Sequence, residues 1–158
     1  MKKVIDFTRA LIISIEFVLL LIWVVLIFSK PQFPEWIISH AVFTDEKIKW
    51  LALLPAGLMA LVFKDFSGVI FPEKDKLNII TEFPDFWKLK NIMNSALFYS
   101  IIFTIMGVIA WFLDPKKETA TLIITLAISI IGAGITYISV HNATVVINTI
   151  FSSNGKIS

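Results

Sequence analysis

Glu16 is the residue in this chain best placed to do chemistry. It lies inside Ala10–Phe28, nineteen residues with no other charge, about 9 Å past Ala10 at helical rise. A bare carboxylate in hydrocarbon is costly, so such a group faces a helix interface or water, finds a partner, or stays protonated. At comparable expected depth the candidate partners are Tyr99, Ser100, Tyr137 and Ser139, with His141 slightly nearer the inner surface. Two readings are open: a proton or cation site inside a helix bundle, or a structural interhelical hydrogen bond or oligomer contact. The structural reading is the stronger, because one carboxylate without a second acid or a basic relay is thin machinery for transport.

Other chemistry is scarce. His40 and His141 are the two histidines, and they fall on opposite expected sides of a membrane, so one protomer cannot use both for one metal. The chain has no cysteine, which removes disulfides and thiolate metal sites. A Gly-rich phosphate loop, His-Glu-x-x-His and Gly-x-Ser-x-Gly are all missing. The expectation is a chain that is not an enzyme and takes no cofactor or metal. Asn142-Ala143-Thr144 matches a glycosylation sequon, but it falls on the expected cytoplasmic side and is read as chance.

The elements that must position Glu16 are built for lipid. Of 158 residues, 57% are apolar and only 16% charged, against about 25% charged in soluble domains, and the mean hydropathy is +0.84. A net charge of +2, spread along the chain, is too small for a nucleic-acid footprint. The expected fold is all-α: a polytopic membrane protein, one domain over residues 1–158, with four transmembrane helices and cytoplasmic helix extensions.

Along the chain, Lys2, Lys3 and Arg9 precede a first span over 10–28, read as a signal anchor with its amino terminus inside, since the apolar run is long, holds Trp23 and lacks a cleavage site. Pro31 and Pro34 end that helix, and Trp36 suits headgroup depth. Thr44 is the expected N-cap of a second span over 48–66, with Pro55-Ala56-Gly57 marking a kink. The segment 64–94 reads as a cytoplasmic loop of mixed charge, in which Ser67-Gly68 and Phe71-Pro72 break regular structure. Pro84-Asp85 opens a helix that runs into a third span over 95–113, and Asp114-Pro115 signals a tight restart into a fourth over 119–141. That last helix need not stop before Asn154-Gly155, near 57 Å at about 1.5 Å per residue, so its end projects into water or lies along the membrane surface.

Two surfaces stand out. Thr119–Ser153 carries no formal charge, and at helical spacing Thr121, Thr125, Ser129, Gly132, Thr136, Ser139 and Ala143 share one face, every one small. Small residues let helices approach closely in lipid, where Leu on Leu gains little over Leu on an acyl chain; this face is read as a seam for helix or oligomer packing, the plainer alternative being incidental small residues. Phe83, Phe86 and Trp87 beside Lys88 and Lys90 suit either a helix leaving the headgroup layer or a docking surface for another protein. With the amino terminus inside, nine Lys and Arg lie on the inner side and five (Lys30, Lys47, Lys49, Lys116, Lys117) outside, the bias that marks the cytoplasmic face; both termini are therefore expected in the cytoplasm.

Two functions fit these features: a non-catalytic subunit that oligomerises and recruits a cytosolic protein, or a small ion-conducting or membrane-permeabilising pore lined by Glu16 or by the hydroxyl face of the fourth span. A pore lining should be polar throughout, whereas the hydroxyls here alternate with glycine and alanine. A short four-span chain with both ends inside and no catalytic residues resembles the membrane subunit of Kiwa, a two-component bacterial anti-phage defence system. That resemblance is one of helix arrangement over the whole chain and carries no site residue across. It implies a bacterial inner-membrane protein that senses phage attack and holds a cytosolic partner, the DNA-binding role belonging to that partner, while the expected homo-oligomer rests on the small-residue face.

Overall fold

The computed structural model describes residues 14–29, 45–70, 86–114 and 118–154, all of the regular structure among them helical. Four helices follow in order: α1 (Ile15–Ser29), α2 (Asp45–Ile70), α3 (Phe86–Phe112) and α4 (Thr119–Asn154). Three of them are long and apolar enough to cross a membrane, over Trp50–Val69, Trp87–Phe112 and Thr119–Thr149. The described α1 is a 15-residue apolar helix, about 22 Å long at helical rise. Residues 10–13 and the expected Thr44 cap, Pro31, Pro34, Trp36, His40, Phe71-Pro72, Phe83 and Pro84-Asp85 lie outside the described residues.

Side-chain contacts fix the course of the helices. Ile48 and Ala52 of α2 meet Ala110 of α3 and Leu122 and Leu126 of α4 at one end. Val62, Phe66 and Val69 meet Met93, Ala96, Val140 and Ile147 at the other. Thus α2 and α4 run the same way and α3 runs against both. The middle layer is Tyr99, Phe103 and Met106 of α3 with Ile124, Ile128 and Ala133 of α4, flanked by Phe17, Leu20 and Trp23 of α1. Tyr99 is hydrogen-bonded to Ser14 and Trp23 to Thr125, so α1 is antiparallel to α4. The largest interface is α3 on α4; α2 packs on both, and α1 lies mainly on α4.

Outside this core the helices are apolar. Phe63, Phe98, Ile105, Val108, Ile131 and Ile138 are exposed large hydrophobics. A water-soluble monomer rarely exposes so many large apolar side chains; the acyl chains of a bilayer would cover them without loss.

Two local expectations are corrected. Ser67-Gly68 does not break structure, because α2 continues to Ile70. Phe66 and Val69 are buried against α3 and α4, which outweighs the roughly 1 kcal/mol that a helical glycine costs, and the Ser67 hydroxyl donates to the Lys64 carbonyl within the helix. The segment 64–94 is consequently not all loop: residues 64–70 belong to α2 and 86–94 to α3. Pro55 sits inside α2, which carries through it. There the Thr104 hydroxyl lies 3.3 Å from the Pro55 carbonyl, while its shorter bond, 2.8 Å, goes to Ser100 in its own helix.

Candidate functional site

The buried polar groups lie between helices. On α4, Thr125, Ser129 and Thr136 are almost wholly buried and Gly132 is buried with them, while Thr121 and Ala143 are half-buried. Gly132 has a specific reason to be glycine. A Cβ there would fall 2.3 Å from the ring of Phe103, itself fully buried on α3. The ring fills the space that the missing side chain leaves. The hydroxyls are mostly consumed at home: Ser129 donates to the Leu126 carbonyl and Thr136 to the Gly132 carbonyl, each at 2.9 Å. Thr125 instead accepts from the Trp23 indole N–H at 3.1 Å.

Ser139 leaves this face. It is exposed, and Val140 takes the buried position one residue on. A strict seven-residue repeat drifts by about 20° per heptad on a straight helix, and at this level the neighbours are Val62, Phe66 and Met93, an aliphatic contact in which size is useful.

Glu16 lies in the first turn of α1 and is 6% exposed, the buried residue of that helix. Ser14 caps the helix, its hydroxyl oxygen accepting from the Phe17 N–H at 3.2 Å. The carboxylate thereby sits near the positive end of the α1 dipole. Across the interface it faces Tyr99 of α3, whose hydroxyl is hydrogen-bonded to Ser14. The other partners considered are engaged elsewhere: Ser100 donates to Leu97 of its own helix, and Tyr137 lies ring to ring with His141, centroids 5.6 Å apart. No buried side-chain nitrogen or oxygen among the described residues lacks a hydrogen-bond partner.

At the end of the bundle where α2 stops, α3 starts and α4 overruns, polar groups gather. His141 Nδ1 lies 3.1 Å from the Asp65 carboxylate, tying α4 to α2. Lys90 of α3 places its ammonium 5.3 Å from the centre of the Trp87 ring. Trp87 and Lys88 are exposed; the Phe86 side chain is outside the described residues. Among the described residues no group of three or more His, Asp or Glu side chains is placed to hold a metal.

Four contacts were missed in the sequence: Trp23 to Thr125, Phe103 into Gly132, Asp65 to His141, and Gly107 against α2. A Cβ on Gly107 would lie 2.7 Å from the Ala52 carbonyl oxygen and 3.3 Å from Pro55 Cγ. A signal existed for two of them. Gly107 is the lone glycine of the third span, and Asp65 and His141 were both expected near the same membrane surface.

Comparison with protein families, with curated proteins and with solved structures gave no match. What is established is the class: among the described residues all regular structure is helical, with three helices long and apolar enough to cross a membrane and polar contacts between helices.

Proposed function

We propose that this protein is a non-catalytic, polytopic subunit of a bacterial inner membrane, crossing it four times with both termini in the cytoplasm. It assembles as a homo-oligomer and anchors or regulates a cytosolic protein in response to a membrane event, in the manner implied by the resemblance to the Kiwa membrane subunit. The observation that carries this reading is the sorting of polar groups. Those inside the bundle are spent within it, Ser129 and Thr136 on carbonyls of α4 itself and Thr125 on the Trp23 N–H of α1, while Asp65, His141, Trp87, Lys88 and Lys90 collect at one end. At that end α4, about 54 Å long over 36 residues, exceeds a hydrocarbon core of about 30 Å. Partner docking falls to this end, with Trp87, Lys88 and Lys90 at the head of α3 and Phe83 and Phe86 beside them in sequence.

The test is purification of the intact protein from its native membrane in mild detergent, followed by native mass measurement. A stoichiometric complex of several copies with a cytosolic protein is expected, together with little ion flux when the purified protein is placed in liposomes. Strong flux abolished by Glu16→Gln would overturn the scaffold and establish the pore.

A further inference from the structure

We propose that α1 is a releasable arm of the bundle, held in place by two polar pins rather than by apolar packing, and that its undocking is the movement through which a membrane event is read. The second half of this inference rests on the sensor reading above; the first half does not.

The argument starts from how little of α1 is covered. Its buried residue is a carboxylate, Glu16. Val18, Leu21, Ile22, Val25 and Phe28 are exposed, Val25 at 61% and Phe28 at 82%, and α1 shares its main interface with a single long helix, α4. Phe17, Leu19, Leu20, Trp23 and Leu26 do lie against the middle layer, but none of them is fully covered. In lipid such contacts gain little over contact with acyl chains, so polar bonds between helices decide docking. Two such attachments are present, one at the head of α1 and one at its middle. Ser14 bonds the Tyr99 hydroxyl with Glu16 buried beside it, and the Trp23 N–H donates to Thr125 about two turns further on. By contrast α2, α3 and α4 approach so closely that a Cβ on Gly107 would strike the Ala52 carbonyl and one on Gly132 the Phe103 ring, the tight packing that does hold helices together in lipid. The bundle is therefore a three-helix body with a fourth helix pinned to its side. Weakening both pins frees α1 without dismantling the rest.

The chain contains no cysteine, so Val25→Cys with Val108→Cys provides the sole thiols for a pair of spin labels, both at exposed positions. Distances are measured on the full chain in lipid nanodiscs. The parent pair should give one narrow distance population. Tyr99→Phe keeps the ring and Trp23→Phe keeps a smaller aromatic ring, and each deletes the pinning atom; together they should cause loss of that population and gain of a longer, broader one. Thr125→Val with Tyr99→Phe, which cuts the same bond from the α4 side, should reproduce the result even if the first pair folds poorly. Thr104→Val, which removes a contact between α2 and α3, should leave the distribution unchanged. An unaltered narrow population in both double variants would overturn the proposal and show that apolar packing or a neighbouring copy holds α1. Since no partner protein enters this measurement, its outcome is separate from that of the purification test.

Discussion

At the scale of single residues, the glycines divide by what a side chain would meet. Gly132 has the Phe103 ring within 2.3 Å of its would-be Cβ, and Gly107 has the Ala52 carbonyl at 2.7 Å. Neither neighbour can move cheaply: the ring is fully buried, and the carbonyl belongs to the α2 backbone. Gly57 and Gly134 meet nothing within 4 Å. Overpacking costs about 1–3 kcal/mol, whereas alanine in place of a helical glycine gains about 1 kcal/mol. Gly132→Ala and Gly107→Ala should therefore lower unfolding stability in detergent, while Gly57→Ala and Gly134→Ala should leave it level or raise it. Adding Phe103→Leu to Gly132→Ala should recover part of the loss, since the shorter side chain vacates the disputed space. A uniform response across the four glycines, read by denaturant titration followed with circular dichroism, would show that close approach is not what these positions supply.

At the scale of elements, composition told most of the story for α2, α3 and α4, because long apolar helices announce themselves by it alone. The third and fourth helices were placed by Asp114 and what surrounds it, and the Glu118 N–H does bond to the Asp114 carbonyl at 2.9 Å. Register was harder to read. Which side of α4 turns inward past Thr136 depends on the bulk of Val62, Phe66 and Met93 on other helices, and nothing within α4 encodes that. The same holds for Gly68, where local propensity argued for a break and long-range burial of Phe66 and Val69 overruled it. Asp65 and His141 are likewise a pair only once two antiparallel turns have brought α4 back beside α2. With their side chains 20% and 50% exposed, they form a surface pair, and such pairs couple by about 0.2–1 kcal/mol. Asp65→Asn and His141→Gln should show coupling in that range in a double-mutant cycle, and either change should speed amide exchange in the last turns of α2. Additive single effects would mean that Phe66 and Val69 alone fasten that end of the helix.

At the scale of the whole molecule, the distribution of cations and the polarity of the two ends must describe one orientation. The end formed by the close of α2, the start of α3 and the overrun of α4 holds Lys64, Lys88 and Lys90, and the segment 71–85 that joins it carries Lys74 and Lys76. The opposite end holds Lys47 and Lys49 at the start of α2 with Lys116 and Lys117, and under the proposed arrangement the excess on the first side comes from Lys2, Lys3 and Arg9 ahead of α1 and Lys156 after α4. Because translocating a Lys-rich segment is what the cell avoids, the first end belongs in the cytoplasm under the proposed arrangement. Thiols placed at the two ends test this directly in a chain without native cysteine. Asp114→Cys and Asn148→Cys sit at exposed positions on opposite ends. In intact spheroplasts an impermeant maleimide should label Asp114→Cys and should reach Asn148→Cys only after the membrane is opened. The reverse pattern would invert the molecule and move Trp87, Lys88 and Lys90 away from any cytosolic protein. Labelling of both positions in intact cells would mean that α4 does not cross the membrane at all, leaving its 31-residue apolar stretch to be covered by protein instead of lipid.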